Sequence, residues 1–119
     1  MTDLPTILVI DDETRSLESL ERILCDDFEV RTAATIEDAN AILEQDWIQV
    51  ILCDQRMPQQ SGVEFLKSVR QRWPDIIRMI VSGYTDAHDI IDGINEAGIF
   101  QYITKPWHPE NLILTLQNA

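Results

Sequence analysis

The strongest constraint on the fold is a regular alternation between short apolar runs and segments with helical spacing. Residues 6–10 read TILVI, a continuously apolar run, whereas between Thr14 and Cys25 the leucines and isoleucine recur every three or four positions. The first pattern predicts a buried strand and the second an amphipathic helix. Because the alternation continues to the end of the chain, we predict five strand-helix units.

The later strands and helices show the same patterns, together with residues that begin or end helices. Further strands are predicted at Phe28–Ala33, Val50–Cys53, Ile76–Val81 and Phe100–Thr104. Thr35 is a candidate N-cap for the second helix, and the third helix must stop before Pro74. Gly98 is a candidate C-cap of the fourth helix, and Pro109 begins the fifth.

Continuous apolar strands separated by helices favour a parallel sheet that is covered on both faces. We therefore predict an α/β fold, a doubly wound parallel five-stranded sheet formed by a single domain over residues 1–119. In open sheets of this kind, ligands bind at the carboxyl ends of the strands. The residues that follow the predicted strands are therefore the candidates for function.

Composition excludes several classes of partner. The chain has 9 Lys and Arg against 21 Asp and Glu, a net charge of −12, so it would repel phosphate backbones and anionic lipids. We expect no direct nucleic acid contact by this domain and no membrane association. The first residues include no basic segment, and their apolar run is far shorter than the ~20 residues that span a bilayer. We expect a cytoplasmic location.

Two cysteines, Cys25 and Cys53, stand in apolar contexts without the short spacing typical of metal or redox sites. We expect both to be small buried thiols rather than a disulfide or a metal site.

Acidic residues end two of the predicted strands. Asp11 and Asp12 follow the first strand, and Asp54 follows the third. Carboxylates about 4 to 6 Å apart repel by roughly 3 to 4 kcal/mol per pair at an effective dielectric of about 20. Summed, this rivals a whole domain's stability of about 5 to 15 kcal/mol. Either a positive group sits among these residues or one of them stays protonated.

A hard divalent cation, for which Mg²⁺ is the natural choice, would relieve the repulsion and leave coordination positions open for a phosphoryl oxygen. Lys105, after the fifth strand, can supply a second positive charge. Asp54 then becomes a nucleophile that can form an acyl phosphate, and Ser82 can donate a hydrogen bond to a phosphoryl oxygen.

Four segments carry these residues: VIDDE, CDQRMPQQSG, IVSGY and YITKPW. In order and spacing they resemble the receiver domains of two-component response regulators, over essentially the whole chain. The resemblance implies sheet order 2-1-3-4-5 and transfer of a phosphoryl group from a sensor histidine kinase to Asp54. It also implies Mg²⁺ held by Asp12, Asp54 and the backbone carbonyl of Arg56, with Asp11 contributing through water.

The resemblance also assigns roles in switching. It implies that Ser82 and Tyr102 move together after phosphorylation, and that Lys105–Pro106 is a cis peptide, which X-Pro bonds make inexpensive. Arg56 and Tyr84 occupy positions that, in similar receivers, control the access of water to the acyl phosphate. Both are bulky, so we predict slow autodephosphorylation.

Within the family, CDQRMP, SGY and KPW are most similar to receivers of NtrC-like transcription activators, especially hydrogenase-gene regulators, and to receivers joined to HD-type phosphodiesterases. We therefore expect the N-terminal part of a longer protein, whose output domain lies elsewhere. The surface of the fourth helix, fifth strand and fifth helix is the candidate for output contacts or a homodimer. Such a domain catalyses its own phosphorylation and dephosphorylation, yet acts as a switch.

Several alternatives remain open at this level. Asp11 and Asp12 could cap the first helix, and Tyr102 could belong to the core. A haloacid-dehalogenase-like phosphatase is disfavoured because the carboxylate spacing after the first strand fails. A flavodoxin-like module is disfavoured because acidic residues there would repel the FMN phosphate. The nearest rival is a receiver that binds its partner without phosphorylation, or one whose unmodified form is the active form.

Overall fold

The computed structural model describes residues 4–55, 61–82 and 99–104, with the backbone alone for Ser82 and residues 99–104. The strands in these ranges are β1 (Thr6–Ile10), β2 (Glu29–Ala33), β3 (Val50–Asp54), β4 (Ile77–Ser82) and β5 (Ile99–Thr104). The helices there are α1 (Thr14–Leu24), α2 (Ile36–Gln45) and α3 (Gly62–Arg72). The fourth and fifth predicted helices fall outside the described residues.

The five strands form one parallel sheet in the order β2-β1-β3-β4-β5. This confirms the predicted fold class and strand order. β3 lies at the centre and is buried along its whole length. β2 lies at an edge and is only partly buried, which explains why its apolar pattern is the weakest of the sheet.

Alternate residues of the strands enter two separate cores, because successive side chains of a strand point to opposite faces. Leu8, Ile10 and Ile51 pack with α2 and α3 on one face. Ile7 and Val9 pack with α1 on the other. Both faces of the sheet are thus covered by apolar helix surfaces, as a continuous apolar strand requires.

The starts of α2 and α3 follow ordinary capping chemistry. The Thr35 hydroxyl accepts a hydrogen bond from the Asp38 backbone N–H at 3.0 Å, which confirms the predicted cap. The Ser61 hydroxyl accepts one from the Glu64 backbone N–H at 3.2 Å. Each cap satisfies one of the backbone donors left unpaired at a helix start. α3 ends at Arg72, before the proline as predicted.

Two cysteines differ from each other in burial. Both are free thiols, and Cys53 is buried as predicted. The prediction for Cys25 is wrong, because that residue is exposed. It is the C-cap that follows Leu24, the last buried residue of α1, so it lies just beyond the apolar face of the helix.

Most strand and helix ends agree with the sequence patterns to within one residue. Asp54 is the last residue of β3 rather than the residue after it. No helix within the described residues is long and apolar enough to span a membrane.

Candidate functional site

Three carboxylates meet at the carboxyl edge of the sheet. Asp11, Asp12 and Asp54 each place one carboxylate oxygen within 4.8 Å of the other two. Asp11 is only 2% exposed and Asp54 only 6%, whereas Asp12 is exposed. The predicted convergence of the acidic residues from separate segments is therefore present in the structure.

Strand register explains why Asp11 and Asp54 share a face. β1 and β3 are neighbours, with Ile10 paired to Cys53. One residue further along, Asp11 and Asp54 therefore come side by side. In the alternation of the strands both fall on the α1 face of the sheet, since Val9 and Leu52, two positions earlier, pack there.

Asp11 has a defined local role. Its Oδ1 accepts a hydrogen bond from the Glu13 backbone N–H at 3.0 Å, which holds the turn between β1 and α1. The N-cap of α1 is Glu13, and its side chain makes no cap hydrogen bond. The alternative that Asp11 and Asp12 serve only as caps of the first helix is therefore not supported.

The crowding of carboxylates has an electrostatic cost. Two ionised carboxylates at the separation found here repel by about 3 kcal/mol at an effective dielectric of about 20. The pKa of the neighbouring Cys53 thiol is raised, first by burial and then by the negative charges of Asp54 and Asp11. Its Sγ donates a weak hydrogen bond to the Asp54 carbonyl oxygen at 3.3 Å. Burial and the neighbouring carboxylates thus both favour the protonated form of the Cys53 thiol.

The donor set at this edge fits a hard divalent cation. All three groups offer carboxylate oxygens, the ligands that Mg²⁺ prefers, and a cation among them would offset their mutual repulsion. Two are buried and one is exposed, so an ion here would be held by the protein on one side and open to solvent on the other. The cluster of Asp11, Asp12 and Asp54 matches the acidic Mg²⁺ site that the resemblance to receiver domains implies.

The structure describes only the backbone of two further predicted site residues, Ser82 and Tyr102. Ser82 is the last residue of β4 and pairs with Thr104, the last residue of β5. Lys105 follows Thr104 directly in the sequence. Tyr102 of β5 pairs with Ile80 of β4, and the structure describes only the backbone of Tyr102.

Four predicted positions lie outside the described residues. These are Arg56, Tyr84, Lys105 and Pro106. The Mg²⁺ ligand at the Arg56 carbonyl and the control of water access by Arg56 and Tyr84 therefore stay predictions. The positive charge of Lys105 in the site and the cis peptide between Lys105 and Pro106 also stay predictions.

Sequence reasoning missed two residues behind the acidic cluster. Gln55 is buried, and its side-chain oxygen accepts a hydrogen bond from the Val63 backbone N–H at 3.0 Å. Gly62 lies so close to β3 that a Cβ on it would be 2.5 Å from the Asp54 carbonyl oxygen. The Ser-Gly pair before an apolar helix was a visible signal for a tight helix start, but nothing in the sequence shows the contact with Asp54.

Comparisons with known proteins agree with this geometry. The family described as the response regulator receiver domain matches residues 7–117. The hydrogenase transcriptional regulatory protein HoxA of Bradyrhizobium diazoefficiens is 58% identical over 114 residues, covering 96% of this chain and 24% of that protein. HoxA of Cupriavidus necator is 57% identical over the same share of each. The chain thus spans about a quarter of the length of these relatives.

Solved structures share the fold over almost the whole chain. The signal receiver domain of an HD domain-containing protein from Pseudomonas fluorescens superposes with a TM-score of 0.92 at 27% identity, covering 98% of this chain and 94% of that one. A CheY-like response regulator receiver domain protein from Methanospirillum hungatei gives 0.90 at 31% identity, covering 98% and 93%. The resemblance to hydrogenase-gene regulators drawn from the sequence is confirmed, and the chain belongs to the response regulator receiver domain family.

Proposed function

We propose that this receiver domain takes a phosphoryl group from a sensor histidine kinase onto the Asp54 carboxylate and uses it to control an output domain. The observation that carries the proposal is the meeting of Asp11, Asp12 and Asp54 within 4.8 Å at the carboxyl edge of the sheet. A buried pair of like charges lowers the stability of the fold. A phosphoacceptor site that binds a cation would explain why the chain keeps such a pair.

The reaction is a transfer between two bonds to phosphorus. An Asp54 carboxylate oxygen forms a bond to phosphorus, while the nitrogen–phosphorus bond of the donor histidine breaks and the leaving nitrogen takes up a proton. Bound Mg²⁺ would offset negative charge on the transferring phosphoryl oxygens. Asp11 and Asp12 are the candidates to hold that ion, and the hydrogen bond from the Glu13 backbone N–H restrains the Asp11 carboxylate.

Asp54 is the proposed acceptor because of where it stands. It is the last residue of the central strand and is buried, at the edge where ligands bind to open parallel sheets. Asp12 is exposed and would hold an ion from the solvent side. The backbone carbonyl of Arg56 is the further ligand that the family resemblance implies.

The response to phosphorylation involves residues at the ends of β4 and β5. Adding about −1.5 to −2 charge at Asp54 would create new hydrogen-bonding and ionic contacts for Ser82 and Lys105. The register of the two strands supports this proposal, since Ser82 and Thr104 are paired at the same edge. Tyr102 would move with Ser82, and the surface of the fourth helix, fifth strand and fifth helix would transmit the change or form a homodimer.

The output is proposed from the relatives. The two HoxA proteins are named as hydrogenase transcriptional regulators and are about four times as long as the matched region. We infer that the full-length protein joins this domain to an output domain that regulates transcription in the cytoplasm. Contact with DNA would then belong to the output domain and not to a receiver with a net charge of −12.

Intact mass spectrometry tests the acceptor assignment. The chain is incubated with acetyl phosphate and Mg²⁺, alongside Asp54→Asn and a control, Asp46→Asn, whose carboxylate pairs with Arg31 away from the site. We expect one added phosphoryl group in the wild type and the control, none in Asp54→Asn, and none in any protein when a chelator removes Mg²⁺. Phosphorylation that survives Asp54→Asn would remove Asp54 from its role.

A further inference from the structure

Gln55, directly after the proposed phosphoacceptor, ties three parts of the fold together. It is only 5% exposed. Its backbone N–H donates to the Val81 carbonyl oxygen of β4 at 2.9 Å, and its own carbonyl oxygen accepts from the Gly62 N–H at 2.9 Å. Its side-chain Oε1 accepts from the Val63 N–H at 3.0 Å. The end of β3 is thus joined to β4 and to the first turn of α3.

The first turn of α3 lies directly against the backbone that carries Asp54. A Cβ on Gly62 would come within 2.5 Å of the Asp54 carbonyl oxygen and 3.0 Å of the Gln55 Cα. Packed contacts of this kind transmit small displacements, since protein interiors are close-packed. A shift of α3 would therefore move the Asp54 carboxylate relative to Asp11.

The hydrogen bond from Val63 to Gln55 is additional to the ordinary cap of the helix. Ser61 already caps α3 by accepting from the Glu64 N–H. That cap lies on the exposed side of the helix, whereas the bond between Gln55 and Val63 is buried between helix and sheet. Both acceptors satisfy otherwise unpaired donors of the same helix start, but only Gln55 is joined to the residue that would carry the phosphoryl group.

Resting on the proposed function of Asp54, we propose that Gln55 is a positioning residue for the phosphoacceptor site. Its side-chain oxygen holds α3 against the end of β3, so that the Asp54 carboxylate stays within reach of Asp11 and Asp12. The amide does not touch the reacting atoms. It acts through the backbone of Asp54 and the first turn of α3.

The test compares two acceptors on the same helix start. Gln55→Met keeps the length of the side chain and removes the amide acceptor, and Ser61→Ala removes the exposed cap. For Gln55→Met we expect a Mg²⁺ dissociation constant, measured by isothermal titration calorimetry, about three to ten times higher, the change that corresponds to losing one hydrogen bond. With acetyl phosphate, its maximal phosphorylation rate should fall similarly, while the half-saturating donor concentration stays unchanged.

For Ser61→Ala we expect Mg²⁺ affinity and maximal rate within about twofold of the wild type, with a loss of thermal stability like that of other N-cap substitutions. A third variant, Gln55→Glu, keeps a hydrogen-bond acceptor for the Val63 N–H. We expect it to bind Mg²⁺ at least as tightly as the wild type. Equal effects of Gln55→Met and Ser61→Ala, or weakened binding in Gln55→Glu, would overturn the proposal.

Hydrogen exchange gives a measurement that needs no substitution. In the wild type, the Val63 amide should exchange more slowly than the Glu64 amide, and Mg²⁺ should slow it further; an unchanged rate with saturating Mg²⁺ would count against the coupling.

The outcomes of these experiments also separate the two proposals. A wild type that binds Mg²⁺ but accepts no phosphoryl group would refute the proposed function, while the Mg²⁺ affinities would still decide the role of Gln55. A wild type that binds no Mg²⁺ would refute both.

Discussion

The carboxyl edge and the amino edge of the sheet both carry charged side chains, but they arrange them differently. At the carboxyl edge, Asp11 and Asp54 are buried side by side with like charges. At the amino edge, the buried Arg78 donates through Nη1 to the carbonyl oxygens of Ile76 at 2.8 Å and Pro74 at 3.3 Å. The carboxyl edge brings like charges together, and the amino edge pairs its buried charge with backbone acceptors.

The surroundings of the amino edge extend the contrast. A groove of about 550 Å³ lies between the ends of α2 and α3, where Arg72 pairs with Glu44 at 2.9 Å and stacks 4.3 Å from the centre of the Trp73 ring. These contacts join opposite charges and bury apolar surface. The difference indicates that the amino edge contributes stability, while the carboxyl edge gives up stability for a binding site.

The largest expected effect comes from forcing apart the two elements behind the acidic cluster. Gly62→Ala would place a Cβ 2.5 Å from the Asp54 carbonyl oxygen and 3.0 Å from the Gln55 Cα, both backbone atoms. We expect the free energy of unfolding to fall by about 3 kcal/mol, the upper end for overpacking. Urea denaturation measures it. Glu64→Ala, at an exposed position of the same helix turn, is the control and should stay within about 0.5 kcal/mol.

Asp54→Asn tests whether the carboxyl edge is destabilised by its own charges. Without Mg²⁺ at neutral pH, removing one of two buried like charges should raise the free energy of unfolding by about 1 to 3 kcal/mol. Asp46→Asn breaks an exposed ion pair with Arg31 and should instead lower it by about 0 to 1 kcal/mol. Chemical denaturation of both variants decides the sign. A destabilised Asp54→Asn would show that the acidic cluster is already compensated.

At the amino edge, removing a buried charge should lower the free energy of unfolding instead of raising it. Arg78→Met removes the donor for two backbone carbonyls, and an unpaired buried acceptor costs about 1 to 3 kcal/mol. Burial, and then the charge of Arg70, lower the pKa of Arg78, which means that the fold disfavours the charged guanidinium. Removing this charge therefore offsets part of the loss in stability. We expect a loss of about 1 to 2 kcal/mol. Arg72→Met, at the exposed ion pair with Glu44, should cost less than about 1 kcal/mol.

The smallest effect concerns the two thiols. Cys53 is buried beside Asp54, and its pKa is raised by burial and by neighbouring carboxylates. Cys25 is exposed at the end of α1. Because the thiolate is the reactive species, a thiol reagent should label Cys25 rapidly in the folded protein and Cys53 only when the carboxyl edge opens. Mass spectrometry follows both sites, and equal rates in the native protein would contradict the burial of the cluster.

The sequence was sufficient for the fold and for the acidic cluster. Apolar runs such as TILVI identified the strands, and parallel strands necessarily bring their carboxyl ends to one edge. Asp11 and Asp54 could therefore be placed together from their positions after two strands. This inference needed no side-chain packing, because the period of a strand fixes the face on which each residue falls.

Other features depended on contacts between distant segments and could not be predicted. Gln55 appears as one polar residue in a loop-like segment, and its role arises only where α3 meets β3. The exposure of Cys25 depends on where the helix face ends. Trp47 is 81% exposed beside the groove at the amino edge, and no rule of sequence spacing indicates this exposure.

The most direct test of the central claim is thermal unfolding of the wild type and Asp54→Asn with and without Mg²⁺. If crowded carboxylates form a cation site, Mg²⁺ should stabilise the wild type, by about 2.7 kcal/mol at a free concentration about 100 times the dissociation constant. The midpoint of Asp54→Asn should rise much less. Equal rises in the two proteins, or no rise in either, would contradict the account.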